Sequence, residues 1–230
     1  MRLDTLFLAI ALGAASVPSF ADPVSGTTSG VWVNPDPSAA PIVTSGVNTP
    51  TFTWGDGSPA NSVQFVATPG GFSSVTETPF KVGTITYFNG STTVGTNPDS
   101  VQLALTLNFG SPAIPPVVSD YTFNIITTPN TDDPDASADF LDLPSAFSTT
   151  SFVIGGTTYN VKLTGFDNIV GDGFLDSTDL ALHVREGGTA SADLSAVVTT
   201  QVAAVPEPQN LALMFAGLGM LGVMARRRRN

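Results

Sequence analysis

The sequence predicts an all-β body, a single antiparallel β-sandwich of jelly-roll-like form, and three observations predict it. Apolar and polar residues alternate at a period of two in one window after another between residues 101 and 198. Clusters of Gly, Pro, Asn and Asp separate those windows. Only 12% of residues are charged, and the chain is rich in Thr, Ser, Gly and Val, which suits strands and turns and disfavours long surface helices.

The individual elements follow in chain order. Residues 34–50, from Asn34-Pro-Asp-Pro to Asn48-Thr-Pro50, read as a loop. The clearest strand is Val101 to Phe109, where Val101, Leu103, Leu105, Leu107 and Phe109 face one way and Gln102, Thr106 and Asn108 the other. Tyr121, Phe123 and Ile125 repeat the pattern. So do Tyr159, Val161 and Leu163, then Leu180, Leu182 and Val184, and more weakly Leu194, Ala196 and Val198. Each is the signature of a half-buried antiparallel strand. Gly110–Pro116 and Pro129–Pro134 are connecting loops, Ile154-Gly-Gly-Thr157 is a tight hairpin turn, and Asn89-Gly90 is a type I′ pair. Residues 199–210 read as a flexible bridge. The competing architecture, an outer-membrane barrel, needs girdles of aromatic residues; three tyrosines and two tryptophans do not supply them.

Both termini read as targeting segments. Arg2 precedes an apolar run from Leu6 to Ala15, and Pro18-Ser-Phe-Ala21 places small residues for cleavage before Asp22, so residues 1–21 form a signal peptide. At the other end Pro206-Glu207-Pro208 is followed by an uncharged segment, Leu211–Ala225, and then by Arg226, Arg227, Arg228 and Arg229. As a helix that segment spans about 22 Å, short against a hydrocarbon core of roughly 30 Å. Gly217, Gly219 and Gly222 weaken it further. The arginines hold that end in the cytoplasm and place everything upstream outside. Pro206 and Pro208 keep the preceding peptide extended, as a transpeptidase needs it.

This tail, a short transmembrane sorting helix behind Pro-Glu-Pro, resembles the PEP-CTERM sorting signal of biofilm-forming bacteria. The resemblance implies recognition and cleavage by a membrane exosortase after export and signal-peptidase processing. The protein is then anchored in the membrane only transiently, before it reaches the cell surface or extracellular matrix. The body, residues 22–205, carries a second resemblance. Gly83-Thr84-Ile85-Thr86-Tyr87-Phe88-Asn89 is similar to the Gly-Thr-x-Thr-His-x-Asn stretch of the THxN family, which overlaps the choice-of-anchor K domain, with Tyr87 in place of the histidine. Trp54-Gly55, Thr128-Pro129-Asn130, Leu163–Phe166 and Arg185-Glu186-Gly187 accompany it. Thr86, Tyr87 and Asn89 are the family-motif residues. The resemblance implies a surface or matrix protein and defines no molecular activity.

Charge and composition exclude several classes of function. The net charge is −11, and Lys81, Lys162 and Arg185 are the only Lys or Arg residues between the two targeting segments. Such a body repels nucleic acid and anionic lipid. Without cysteine there is neither a disulfide framework nor thiolate chemistry. Gly-x-Ser-x-Gly, a Walker loop and a dinucleotide fingerprint are missing from the sequence.

Acidic clusters are the concentrated polar chemistry. Asp132, Asp133, Asp135, Asp139 and Asp142 form one, and Asp167, Asp172, Asp176 and Asp179 another. Solvated loops with Asx turns explain them. Calcium held by Asp132, Asp133 and Asp135 is the alternative, since calcium takes loop carboxylates and carbonyls, although the spacing is not that of an EF-hand. No other cofactor is expected. A glycosidase pair of carboxylates has no spacing to mark it. His183, the single histidine, is expected to face solvent. Most of Trp32, Phe52, Trp54, Tyr87 and Phe88 are expected in the core; exposed together, they would instead stack on sugars. The expectation is thus a non-enzymatic, structural or adhesive matrix protein that meets exopolysaccharide. A secreted carbohydrate-binding module and, behind it, a glycan-acting hydrolase are the alternatives.

Overall fold

Alternation along residues 101–109 demands a strand with one apolar face, and the computed structural model buries Val101, Leu103, Leu105, Leu107 and Phe109 in the interior. The structure describes residues 22–36, 42–144, 149–171, 175–201, 215–218 and 227. Residues 215–218 and 227 are helical. The expected signal peptide, residues 1–21, and Pro206, Glu207, Pro208, Arg226, Arg228 and Arg229 lie outside the described residues. Among the described residues no helix is long and apolar enough to cross a membrane.

The unit Ala21–Gln201 is built from antiparallel strands. They are β1 (Pro23–Asp36), β2 (Thr44–Ser45), β3 (Thr51–Trp54), β4 (Asn61–Ala67), β5 (Phe72–Val75), β6 (Phe80–Phe88) and β7 (Ser100–Ser111). Then follow β8 (Val117–Ile126), β9 (Asp139–Asp142), β10 (Thr150–Ile154), β11 (Thr157–Gly171), β12 (Ala181–Val184) and β13 (Thr189–Gln201). One sheet has the order β12-β9-β8-β7-β1-β5 and the other β10-β11-β13-β6-β4-β3-β2. The arrangement is sandwich-like, and the inward faces of both sheets share one core.

The core is closed by side chains that the two-residue period points inward. Phe65 of β4 shows how tightly: a Cβ added to Gly30 on β1 would lie 2.7 Å from its ring, and one added to Gly83 on β6 would lie 2.4 Å from it. Glycine at both positions leaves room for the ring between the sheets. Trp32 meets Phe123 edge to face at 5.2 Å and donates its indole N–H to Pro50 O at 3.1 Å.

All five alternating windows are strands. Ile154 and Thr157 are register partners across Gly155 and Gly156, whose φ values of 57° and 86° are those a type I′ turn requires. Residues 34–50 are not wholly loop, however. β1 runs on to Asp36, and Asn48 and Thr49 lie beside it. Trp32 N donates to Thr49 O at 2.9 Å and Asn48 N to Trp32 O at 2.7 Å, which lets β2 form on β3. Backbone pairing, for which Pro-rich composition carries no signal, decides that segment.

A polar row crosses the outer face of the second sheet, while Val66, Val118, Ile126, Val153 and Val170 are exposed elsewhere. Thr51, Gln64, Thr86 and Ser191 are successive register partners across β3, β4, β6 and β13. The Thr86 and Ser191 hydroxyls are 2.9 Å apart.

Candidate functional site

Thr86 and Tyr87 lie on opposite sides of β6. Thr86 points outward into the hydroxyl row, and Tyr87 points inward and is fully buried. Tyr87 stacks on Trp54 of β3 with centroids 5.7 Å apart, and Trp54 stacks in turn on Phe52 at 5.7 Å. Burial pushes the Tyr87 phenol well above its ordinary range, and the negative charges of Asp139 and Glu186 push it the same way. Its hydroxyl is therefore a neutral group, and among the described residues it has no hydrogen-bond partner.

Asn89 corrects the type I′ turn expected for Asn89-Gly90. The chain leaves β6 into a long connection rather than a two-residue hairpin, and neither residue has a positive φ. Asn89 is instead fully buried. Its Nδ2 donates to Val184 O at 2.9 Å and Ser137 O at 3.4 Å. Its backbone N donates to Gly188 O at 3.1 Å, and its O accepts from Gly187 N at 2.7 Å. A residue at the end of a central strand of one sheet thus ties down β9 and β12, the last two strands of the other. A tight-turn dipeptide and a buried amide look alike in sequence; the tertiary partners decide between them.

Asp139 begins β9 and is 3% exposed. It shares the inward parity of Leu141 and Leu143, a pattern too short in sequence to separate it from its acidic neighbours. Thr128 N donates to its Oδ1 at 2.7 Å. Burial raises its carboxyl to about 6, with Glu186 adding to the rise and the Thr128 bonds opposing it. Glu186 follows β12. Its Oε1 accepts from Ser91 Oγ at 2.5 Å, and its Oε2 is buried without a partner. Asn61 lies opposite Trp54 in the β3–β4 register and accepts from Gly90 N at 2.8 Å. Trp54, Thr128, Tyr87, Asn89 and Glu186, scattered along the chain, therefore meet at one end of the sheets.

The proposed calcium ligands do not converge. Asp132, Asp133 and Asp135 are exposed. Asp133 Oδ1 accepts from Asp135 N at 3.0 Å in an Asx turn, and Asp135 pairs with Arg185 at 3.1 Å. Among the described residues no group of three or more His, Cys, Asp or Glu side chains is placed to hold a metal. In the second acidic group Asp172 lies outside the described residues.

His183 is not simply solvated. It stacks on Phe140 at 3.7 Å on the outer face of β12 and β9, and its Nδ1 is buried. The cross-strand pairing of Phe140 with His183 brings the rings together. Burial raises the carboxyl of neighbouring Asp142, and His183 pulls it back. Trp32, Phe52, Trp54 and Tyr87 are core residues, and Phe88 is half-buried.

A groove of about 300 Å³ beside β10 is lined by residues such as Ile114, Pro116, Val118, Phe152 and Val153, with no titratable side chain. Asp139, by contrast, is almost fully buried, and Glu186 is half-buried. The chain matches no protein-family model, and no curated protein matches it significantly.

Proposed function

We propose that the chain is an exported, non-enzymatic protein of the cell surface or exopolysaccharide matrix, sorted through its C-terminus by an exosortase. The observation that carries this reading is the order Pro206-Glu207-Pro208, uncharged segment, Arg226–Arg229 behind a leader that ends at Ala21. Signal peptidase acts first, cutting before Asp22, and the exosortase acts on the tail. The body, read as a jelly-roll-like sandwich of the choice-of-anchor K kind, is the delivered part and contributes structure or adhesion.

Two features of the body support a structural or adhesive role. Of the aromatic residues that would stack on sugars, Trp32, Phe52, Trp54 and Tyr87 are packed in the core. The outer face across β3, β4, β6 and β13 carries Thr51, Gln64, Thr86 and Ser191 in register, a row that can hydrogen-bond polysaccharide or water. The acidic charge keeps the body away from nucleic acid and anionic membranes.

Deleting residues 206–230 tests the reading. The body should then leave the cell-associated fraction for the medium, as followed by immunoblot of both fractions. Unchanged partition between cells and medium would count against sorting by the tail.

A further inference from the structure

We propose that Asp139, Glu186 and Asn89 hold a hard divalent cation of calcium's class where the end of β6 meets the start of β9 and the end of β12.

The placement comes from the backbone. Val184 and Asp139 are register partners across β12 and β9. Asn89 Nδ2 donates to Val184 O, and the backbone of Asn89 is bonded to Gly187 and Gly188 on either side of its peptide. Glu186 is therefore bracketed by Asn89 and by Ser91, which donates to its Oε1. Both amide hydrogens of Asn89 are directed at carbonyls, so its Oδ1 is turned away from them, fully buried and without a partner. Glu186 Oε2 is likewise buried and unpartnered. Asp139 Oδ1 is held by Thr128, which orients the carboxylate.

Charge decides what fits. Asp139 and Glu186 are near enough for each charge to act on the Tyr87 hydroxyl. The basic residues of the body are engaged elsewhere: Lys81 with Asp193, Arg185 with Asp135, while Lys162 is exposed on β11. A water molecule would give the orphaned oxygens a donor and leave two carboxylates whose charges act on each other uncompensated. A cation answers both needs. Two carboxylates, one amide oxygen and water make an all-oxygen set of mixed geometry, which suits calcium better than the strict octahedron of magnesium. This site shares no ligand with the exposed Asp132, Asp133 and Asp135.

Calorimetric titration of the full-length chain in detergent with calcium chloride, after chelator treatment, tests this directly. One saturable site is expected, with a melting temperature about 3–6 °C higher at ten times the dissociation constant. Glu186→Gln should abolish both signals, and the double variant Asp132→Asn, Asp133→Asn should keep both. Terbium gives a readout that needs no variant, because Trp54 and Tyr87 beside the site should sensitise its emission and calcium should quench it by competition. No saturable binding at millimolar calcium would overturn the proposal. So would binding that survives Glu186→Gln, or binding lost in the Asp132 and Asp133 double variant.

Discussion

Tyr87 lies flat on Trp54, the two rings 5.7 Å apart and 15° from parallel, with the phenol hydroxyl buried and unbonded. The ring is therefore needed for packing and the hydroxyl is not. An unpartnered buried hydroxyl costs about 1–3 kcal/mol. With divalent cations chelated, Tyr87→Phe should unfold in urea at the same free energy as the wild type or up to about 1 kcal/mol higher. Tyr87→Ala should lose about 3–5 kcal/mol, since it removes a whole buried ring. A clear loss in the Phe variant would mean that the hydroxyl has a bonded partner.

Asp139 gives the body a pH dependence of opposite sign to the usual carboxylate. Burial first, and Glu186 second, raise its carboxyl to about 6 from 3.8. The folded state thus favours the protonated acid. Its contribution is complete below about pH 4 and is lost as pH rises through about 6. After solvent screening the change amounts to about 1–2 kcal/mol. In chelator, denaturant melts from pH 4 to pH 7 should show the wild type losing that much relative to Asp139→Asn. Parallel curves for the two proteins would contradict the assignment.

Asp193 has the ordinary sign. Desolvation raises its carboxyl, but hydrogen bonds from Lys81 and Asn168 outweigh it and the net effect is a lowered value. Its contribution is present above about pH 4 and fades as the group protonates. Lys81→Met should therefore cost stability at pH 7, by about 0.2–1 kcal/mol as for an exposed pair, and cost little near pH 2. Guanidinium would screen this pair, so urea is the denaturant to use.

The strands were legible because period-two alternation is a local signal, and Val101–Phe109 states it without ambiguity. The site was legible only in pieces. Tyr87 and Asn89 stand in a recognisable stretch, yet the partners that define their chemistry, Trp54, Asp139, Val184 and Glu186, come from three other places in the chain. Asp139 looks like its neighbours Asp133 and Asp135 until β9 is known to begin there, because a four-residue strand gives too few repeats to fix its parity. Asn89-Gly90 misleads for a related reason. The pair favours a tight turn locally, but a turn there would forfeit the bonds from Asn89 to Val184 and Ser137. Those are tertiary contacts, and local propensity yields to them.

Phe65 and its two glycines offer a test of the packing between sheets. A methyl group on Gly30 or Gly83 would lie under 3 Å from the ring. Gly30→Ala and Gly83→Ala should each cost about 1–3 kcal/mol by overpacking. Combining Gly30→Ala with Phe65→Leu should recover part of the loss, because the smaller side chain vacates the contested space. Additive losses in the double variant would show that the strain lies in the backbone and not against the ring.

Asn89 is the position where fold and site are hardest to separate, and two substitutions can separate them. Asn89→Ala strips donors from Val184 O and Ser137 O and should cost about 2–4 kcal/mol, because both carbonyls lose a partner at a buried junction. Asn89→Asp keeps the shape but turns a carboxylate oxygen toward those carbonyls and adds a third charge beside Asp139 and Glu186. In chelator it should be destabilised at least as much as the alanine variant. With calcium present the added charge strengthens the ligand set, so the aspartate variant should recover stability while the alanine variant does not. Melting temperatures of the two variants, each with calcium and with chelator, give the four values needed. Equal responses to calcium would leave Asn89 as a structural tie alone.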